Sequence, residues 1–289
     1  SRFFDLEKFK IPKAMFNILN GGAHASNGVC FQEFMIMPTK EEDFSLNLQI
    51  ASTIYHNLKK ILQQDGYSVG VGDEGGFAPK ISKDNDCGTT RALDFLLHAV
   101  EKSGYIPGKD VVFCLDVAAS QFFDEKEGLY ILKDKKLNSD EMINLYTNLL
   151  SSYPIYSIED GLAETDWQGW KDLTEALGSK VQLVGDDIFV TNIDLIDRGI
   201  KDGIANSVLI KPNQIGTVSQ TINAIKLCKK NNYKTVVSHR SGDTCDSFIS
   251  DLAVGTFSEE FKSGACARSE RVCKYNRLLD IEKTLVDKI

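Results

Sequence analysis

Two adjacent carboxylates, Asp186 and Asp187, end the apolar run QLVGDD. Two negative charges side by side at the end of a buried strand repel each other and resist transfer out of water. A bound cation would offset both effects. The pair therefore indicates a metal site at a strand end, and acidic residues at the ends of other strands would have to complete it.

Other short apolar runs end in the same way. Runs of this kind are typical of strands buried on both faces of a parallel sheet. They read VVFCLD, IYSIED, VQLVGDD, SVLIKP and KTVVSHR, with a sixth candidate around EEFKSG. The polar residues that end them are Asp116, Glu159 with Asp160, Asp186 with Asp187, Lys211, His239 with Arg240, and Lys262. A single strand-end carboxylate is most often a helix cap or a surface charge. Here a series of acidic strand ends is followed by a series of basic strand ends. This order instead indicates that the residues gather around one opening of the sheet, called the mouth below, with an acidic side and a basic side.

Helical patterns separate these runs and predict the fold. Apolar residues recur at a spacing near 3.6 in RALDFLLHAVEKSG, SDEMINLYTNLLSS, NIDLIDRGIKDG and TVSQTINAIKLCKKNN. Six βα units follow an irregular opening that contains the strands AMFNILNGG and QEFMIMP, and this order predicts an α/β barrel of the TIM type. An open doubly wound sheet is the alternative, but NGGAHASNG lacks the Gly-x-Gly-x-x-Gly phosphate loop. His56 and His98 lie within helical patterns and are interpreted as structural.

Composition limits the range of functions. The chain has 289 residues, a formal net charge of −8 and a pI near 5.1, which argues against nucleic acid or an anionic membrane as the main partner. We recognise no signal peptide and no apolar run long enough to span a membrane, and we expect a cytoplasmic protein. The seven cysteines are odd in number and irregularly spaced, so neither a disulfide framework nor a zinc site is expected.

The two sides of the predicted mouth have complementary chemistry. Asp116, Glu159 and Asp186 offer hard oxygen ligands, which suit Mg²⁺ better than Zn²⁺. Lys211 is a candidate base, because its pKa can fall beside other cations and a metal. Arg240 with the following serine would clamp an anion. Together these groups predict the removal of a proton next to a carboxylate, with the resulting negative charge stabilised by the metal.

The chain resembles the enolase family over nearly its whole length. The matching stretches are NILNGGAHASN, QEFMIMP, VGDEGGFAP, LDVAAS, SIED, DWQGW, VGDDIFVTN, IKPNQIGT, VVSHRSGDT, DLAVGT and RSERVCKYNRLL. The resemblance implies the enolase barrel with its atypical opening strands and helices. It also implies phosphopyruvate hydratase activity, a lyase reaction of glycolysis and gluconeogenesis that interconverts 2-phosphoglycerate with phosphoenolpyruvate and water. The cofactor it implies is Mg²⁺, with two ions in the complete enzyme and one site fully supplied here.

The resemblance also implies a role for each matching residue. The ligands of the first, tighter Mg²⁺ are Asp116, Glu159 and Asp186. Lys211 removes the C2 proton, and Glu74 helps the C3 hydroxyl to leave, with Glu33 and His239 beside it in the catalytic set. The residues that bind substrate are His24, Glu33, Arg240, Ser241 and Lys262, of which Arg240 and Ser241 contact the phosphate. His24 belongs to a loop that closes on the substrate.

Several positions depart from the family pattern. Gly161 replaces a usual Pro and would loosen the loop after a metal ligand, Cys266 also departs, and Asp280 replaces an Arg that commonly pairs with a neighbouring subunit. Residues 1–10 are expected to be the remnant of a connection from a missing N-terminal α+β domain, and residues 11–289 the catalytic barrel. The resemblance implies a homodimer or higher oligomer for the full-length protein.

Two other functions remain open from the sequence. A different acid-sugar dehydratase or racemase of the enolase superfamily would share the three acidic residues, although the Lys-x-Lys pair usual on an early strand is not found. A surface-binding or adhesion role in addition to catalysis is the alternative of a different class. The GDEGG and SHRSGDT stretches favour enolase itself.

Overall fold

The structure is a computed structural model that describes residues 10–40, 43–81 and 87–286. Its strands are β1 (Lys13–Asn20), β2 (Glu33–Pro38), β3 (Val111–Asp116), β4 (Phe123–Asp124), β5 (Leu129–Leu132), β6 (Lys135–Leu137), β7 (Ile155–Glu159), β8 (Gln182–Gly185), β9 (Ser207–Ile210), β10 (Lys234–Ser238) and β11 (Glu260–Lys262). Its α-helices are α1 (Phe44–Gln64), α2 (Thr89–Lys102), α3 (Ser139–Ser152), α4 (Trp167–Leu177), α5 (Ile193–Asp202), α6 (Pro212–Ile215), α7 (Val218–Lys230), α8 (Phe248–Thr256) and α9 (Ser269–Val286). The predicted N-terminal remnant lies outside the described residues except for Lys10, so the proposed domain division stays a prediction.

Eight strands close into a barrel in the order β1-β11-β10-β9-β8-β7-β3-β2. Neighbouring strands are parallel except β2, which runs antiparallel to both β1 and β3. The reversal matters for the site, because it brings the N-terminal end of β2 to the end of the barrel where the parallel strands finish. Glu33, the first residue of β2, accordingly pairs in register with Asp116, the last residue of β3. The predicted TIM-type barrel with an irregular opening is therefore confirmed.

Burial explains why these segments form strands and helices. The barrel interior is filled by Met15, Met35, Met37, Cys114, Val184, Leu209 and Val236. A larger core lies mainly between the strands and the surrounding helices, whose apolar faces repeat at helical spacing. Polar side chains fix several helix starts. The Asn138 side chain accepts a hydrogen bond from the backbone N–H of Glu141, whose carboxylate in turn accepts from the Asn138 N–H.

The long interval between the ends of β3 and β7 contains a feature that the sequence analysis did not predict. Strands β4, β5 and β6 form a separate antiparallel sheet within it. Each of these strands has only two to four residues. Runs this short carry too little alternation of apolar and polar residues to be recognised from a pattern.

No disulfide framework was expected, but one pair of cysteines is bonded in the structure. Cys30, in the loop between β1 and β2, is bonded to Cys87, which precedes α2, across a separation of 57 residues. The spacing of cysteines along a chain cannot reveal such a pair, because the fold alone brings the two loops together. In the described ranges, no helix is both long enough and apolar enough to cross a lipid bilayer.

Candidate active site

The strand ends meet around a polar cavity of about 310 Å³ at the mouth of the barrel. Ten of the predicted site residues line it: His24, Glu33, Glu74, Asp116, Asp186, Lys211, His239, Arg240, Ser241 and Lys262. Glu159 is buried and contacts Lys262. The structure thus brings all the predicted site residues into one region. His56 and His98 are exposed on α1 and α2, and neither lines the cavity.

The Lys262 side chain is the centre of the acidic side. Its Nζ lies 2.9 Å from Asp116 Oδ2, 2.9 Å from both carboxylate oxygens of Glu159, and 3.1 Å from Glu33 Oε1. The Lys262 side chain is only 3% exposed. Burial alone would lower the pKa of Lys262, but these carboxylates raise it well above its ordinary value. A positive charge therefore already sits between two of the predicted metal ligands.

Glu33 and Glu74 form a buried pair of carboxyl groups. Burial and the charge of Glu74 raise the pKa of Glu33 well above its ordinary value. Burial alone would raise the pKa of Glu74 as well, but His239 and Lys262 hold it well below its ordinary value. The two pKa values are thus shifted in opposite directions, and Glu33 is the carboxylate of the pair that binds a proton more readily.

The GDEGG turn positions Glu74. Gly75 has φ +85°, a conformation that favours glycine, and its carbonyl accepts a hydrogen bond of 2.8 Å from the Tyr55 hydroxyl of α1. A Cβ at Gly76 would lie 2.7 Å from Asn20 Oδ1, closer than atoms can approach. The turn can therefore pack onto β1, where the buried Asn17 donates a hydrogen bond of 3.1 Å to Glu74 Oε2. The glycines explain why the acidic side chain is fixed although it lies in a loop.

His239 connects Glu74 to a buried arginine from α9. Arg271 Nη1 lies 2.5 Å from His239 Nδ1, and His239 Nε2 lies 3.4 Å from Glu74 Oε1. A guanidinium can only donate, so Nδ1 accepts and the ring proton is on Nε2, facing the carboxylate. Burial, with the nearby Arg271 charge, lowers the pKa of His239 below its ordinary value despite the opposing effect of Glu74. The fold therefore opposes protonation of the imidazole.

The structure answers how Asp186 and Asp187 are held side by side. Both backbone N–H groups donate to the Asp160 carboxylate, at 2.9 Å for Asp186 and 3.0 Å for Asp187. The Asp186 side chain binds the Lys211 ammonium. Lys211 is thus oriented by Asp186. The turn is stabilised by backbone hydrogen bonds and by an ion pair in addition to any metal.

Carboxylates raise the pKa of Lys211 in the structure. Burial lowers it, but the carboxylates of Asp186 and Glu159 outweigh burial and raise it above its ordinary value. The nearest charged partner of Lys211 is the Asp186 carboxylate. The predicted fall of this pKa depends on a metal beside Lys211, and it stays a prediction.

Metal-binding capacity is present, but it is divided between two groups. Among the described residues, potential ligand atoms lie within 4.8 Å of one another in the group His24, Glu33 and Glu74 and in the group Asp160, Asp186 and Asp187. The predicted set of Asp116, Glu159 and Asp186 is not one of these groups, because the first two hold Lys262. Asp186 Oδ1 is nevertheless buried without a hydrogen-bond partner. An unpartnered buried carboxylate oxygen beside further carboxylates fits a hard dication.

Sequence reasoning missed several residues that shape the site. Gln32 donates a hydrogen bond of 3.2 Å to Asp116 Oδ2, and Gln121 donates one of 2.5 Å to Gln32 Oε1. Arg271, Asn17 and Asp160 act through the contacts described above. None of these roles produces a local pattern. The one available signal was that Gln32 and Arg271 lie within sequence stretches that match the family.

The loop at Gly161 is not loosened as expected. Its carbonyl accepts a hydrogen bond of 2.6 Å from the buried Tyr146 hydroxyl, and Trp170 Nε1 donates one of 3.1 Å to the next carbonyl, that of Leu162. A Cβ at Gly161 would lie 3.2 Å from Ile158 Cγ2, so the position is already tightly packed. Contacts from α3 and α4 replace the stiffness that a proline would supply.

Comparison with known proteins identifies the family. The family model for the enolase C-terminal TIM barrel domain matches residues 8–289. The chain belongs to the enolase family. It is 52% identical to the enolase of Wolinella succinogenes over 277 residues, which cover 95% of this chain and 64% of that protein. It is 50% identical to the enolase of a Nitratiruptor species over 278 residues, which cover 96% of this chain and 64% of that protein. The chain thus spans a little under two thirds of the length of these enolases.

Proposed function

We propose that this chain is the catalytic barrel of an enzyme that interconverts 2-phosphoglycerate with phosphoenolpyruvate and water, as phosphopyruvate hydratases do. The observation that carries the proposal is the convergence of Lys211, Glu74 and Arg240 on one polar cavity. A lysine base, a carboxyl group and an anion-binding arginine are the groups that removal of the C2 proton, loss of the C3 hydroxyl and binding of a phosphate require. Membership of the enolase family supports the same reaction.

Mg²⁺ is the proposed cofactor, and Asp116, Glu159 and Asp186 would hold it. Their oxygens have the hardness that this ion prefers, and the ammonium between Asp116 and Glu159 shows that a cation is stabilised there. Bound Mg²⁺ would neutralise the negative charge that develops on the substrate carboxylate when the C2 proton leaves. A second ion is expected in the complete enzyme.

The proton-transfer roles follow from the contacts of the side chains. Lys211 can accept a proton only as a neutral amine, and in the structure Asp186 stabilises its charged form. Lys211 therefore acts as a base only when Asp186 has another cationic partner, which couples the base to the metal ligands. The raised pKa of Glu33 and the lowered pKa of Glu74 make Glu33 the better proton donor to this pair, and Glu74 would pass that proton on to help the C3 hydroxyl leave.

The substrate-binding roles follow from position at the rim. Arg240 is half-buried and Ser241 is exposed, and both line the cavity beside His239. The Arg240 backbone N–H donates a hydrogen bond of 3.1 Å to Asp243 Oδ2, which fixes the start of this loop. The guanidinium would bind the substrate phosphate with two parallel hydrogen bonds. His24 Nδ1 lies 3.9 Å from Glu74 Oε1, and His24 lines the same cavity, so it would contact a substrate bound beside Glu74.

The direct test is turnover of 2-phosphoglycerate by the full-length protein, followed by the absorbance of phosphoenolpyruvate with and without Mg²⁺. We expect turnover that requires Mg²⁺. Turnover of other acid sugars, with none of 2-phosphoglycerate, would instead support a different dehydratase or racemase of the superfamily. We further propose a cytoplasmic location and a homodimer or higher oligomer, which fractionation and light scattering of the full-length protein would test. Within residues 10–40, 43–81 and 87–286, no specific contact favours an additional surface-binding role.

A further inference from the structure

Two thiols lie against each other beside the substrate-binding loop. Cys245 is exposed in the loop between β10 and α8, and Cys273 lies half-buried on α9. The two side chains are within hydrogen-bond reach of each other. Both are free thiols in the structure, although the chain elsewhere joins Cys30 to Cys87. Their proximity is therefore not explained by an existing bond.

Lys274 holds the two segments together. Its side chain is 1% exposed, and its Nζ donates a hydrogen bond of 2.7 Å to the Thr244 carbonyl and lies 3.3 Å from Asp243 Oδ1. The same Nζ lies 4.0 Å from Cys273 Sγ. The backbone next to Cys245 is thus fixed against the helix residue next to Cys273. A disulfide needs closely spaced cysteines, and these contacts hold the segment that carries Cys245 beside the helix that carries Cys273.

We infer that Cys245 and Cys273 form a reversible disulfide that fastens the 240–246 loop to α9. The oxidant is a small disulfide, RSSR. The Cys245 thiolate attacks one sulfur and releases RS⁻, and the Cys273 thiolate then displaces the second RS⁻ from the mixed disulfide. Two protein thiols and RSSR thus give one protein disulfide and two RSH, with electrons and protons balanced.

Exposure decides which thiol reacts first. Cys245 is exposed, whereas burial raises the pKa of Cys273 despite the nearby Lys274 charge. Of the other free cysteines in the described part of the chain, Cys114 and Cys228 are buried. Burial raises the pKa of the Cys266 thiol to about 12. An exposed thiol with a neighbouring thiol in contact is the arrangement that forms an intramolecular disulfide in preference to a lasting mixed one.

The disulfide would act on the anion-binding side of the mouth. Arg240 and Ser241 lie in the same loop as Cys245, and the Arg240 N–H is bonded to Asp243. Fastening this loop to α9 restricts its movement towards a bound phosphate. This consequence rests on the proposed function, whereas formation of the disulfide does not.

The test treats the full-length protein with oxidised glutathione, digests it with trypsin without reduction, and identifies cross-linked peptides by mass spectrometry. We expect residues 241–262 joined to residues 272–274, and release of both by dithiothreitol. Cys245→Ser and Cys273→Ser are the paired variants, and neither should give this product. A stable glutathione adduct on Cys245, or no reaction there, would overturn the inference.

Activity measurements separate the formation of the disulfide from its effect on substrate binding. Oxidation should raise the KM for 2-phosphoglycerate several-fold in the wild type, dithiothreitol should reverse the change, and Cys245→Ser should not respond. A mapped disulfide with an unchanged KM would overturn the restraint on the loop. Absence of turnover in both redox forms, with the disulfide mapped, would contradict the proposed function and leave the disulfide itself established.

A second inference comes from a separate observation, the contacts of Arg271. This residue is 1% exposed, and its guanidinium donates to the carbonyls of Arg240 and Ser241, both at 2.6 Å, and to that of Asp73 at 3.2 Å. Its Nη1 also lies 2.5 Å from His239 Nδ1, and its Nε lies 3.6 Å from Glu270 Oε1. The geometry points to Arg271 as a positioning residue that fixes the His239 tautomer with its proton towards Glu74. Without this donor, either ring nitrogen could carry the proton.

Nitrogen-15 NMR of the histidine rings tests this directly, because the chain has only four histidines. The wild type should show His239 as the Nε2–H tautomer, assigned by loss of its signals in His239→Gln. Arg271→Lys should shift the His239 ring nitrogens, whereas Arg277→Lys, an exposed arginine paired with Asp251, should not. A wild-type His239 with its proton on Nδ1 would overturn the inference even if Arg271→Lys fails to fold.

Discussion

The two ends of the barrel both carry lysines and carboxylates, but they bury them differently. At the mouth, the Lys262 ammonium is enclosed by Glu33, Asp116 and Glu159. At the base, a cavity of about 420 Å³ is lined by four lysines, yet Lys10 and Lys234 are exposed. Charges that reach water interact weakly, whereas buried charges depend on their partners. The difference shows that the number of charged residues does not locate the site, and that convergence with burial does.

The base also shows what a buried carboxyl group looks like without such partners. Glu260 is buried there, accepts a hydrogen bond of 2.8 Å from the Tyr156 hydroxyl, and has its pKa raised chiefly by burial. Lys234 donates to Tyr156 and lies over its ring, outside the barrel interior. The lower end of the barrel thus favours the protonated form of its buried carboxyl group, whereas the mouth keeps several charges of opposite sign in contact.

The largest effect is expected for Lys211, the residue proposed to accept the C2 proton at the mouth. Lys211→Ala should reduce turnover of 2-phosphoglycerate by about 10²–10⁴-fold, the range by which a positioned acid or base accelerates a reaction. Steady-state kinetics of the full-length protein measures this. Mg²⁺ binding should persist, because Lys211 is not a ligand. Turnover close to the wild type would remove Lys211 from the catalytic residues.

Stability provides the second test of the mouth. Lys262→Met removes the cation from among three buried carboxylates, and breaking a buried ionic cluster in this way costs about 3–5 kcal/mol. Urea unfolding without divalent cations should show this loss. Added Mg²⁺ should restore part of it, since the freed carboxylates can bind the ion. An unchanged free energy of unfolding would mean that the cluster does not stabilise the fold.

The buried histidine predicts a pH effect of intermediate size. The pKa of His239 is lowered below its ordinary value of 6.5 in the folded protein, with Glu74, Arg271 and Lys262 as its charged neighbours. The unfolded chain therefore binds this proton first as the pH falls. The wild type should lose stability below about pH 6.5, by up to about 1.4 kcal/mol per pH unit from this group.

Urea unfolding at pH 7.5 and pH 5.5 measures the His239 contribution as a difference between proteins. The wild type should lose more stability on acidification than His239→Gln does. His56→Gln, at an exposed position on α1, is the matched control and should follow the wild type. Equal pH dependence in all three would show that His239 is not held neutral by the fold.

The smallest effect is expected at the base. Lys234→Met removes an exposed ammonium that contacts the Tyr156 ring, which is worth about 0.5–1 kcal/mol. Activity should stay within about twofold of the wild type, because no cavity-lining residue at the mouth contacts it. A loss comparable to that of Lys262→Met in the same unfolding assay would erase the distinction between the two ends.

The sequence was sufficient for the features that repeat along the chain. Each βα unit has its own apolar run and polar end, so Asp116, Asp186 and Lys211 could be assigned to one mouth before the structure. Contacts between distant segments were not predictable in this way. Arg271, near the start of α9, meets His239, just after β10. Cys30 meets Cys87 across two loops, and Lys262 reaches Asp116 across the mouth. Their partners follow from tertiary packing, which leaves no local pattern.

The pKa of Lys211 shows the same limit. Its ion pair with Asp186, which raises this pKa, has no local pattern in the sequence. Residue types at strand ends predicted which groups would gather. They did not predict which two would lie in contact, and the charge of the nearest partner decides the direction of a pKa shift.

The most direct test of the account separates the two proton transfers in one reaction. Full-length Glu74→Gln is incubated with 2-phosphoglycerate and Mg²⁺ in deuterated water, and exchange at C2 is followed by NMR while phosphoenolpyruvate is followed by absorbance. The account predicts that exchange continues through Lys211 while phosphoenolpyruvate formation collapses, because only the second step needs a proton for the leaving hydroxyl. Equal loss of exchange and product would contradict separate roles for Lys211 and Glu74 at the mouth.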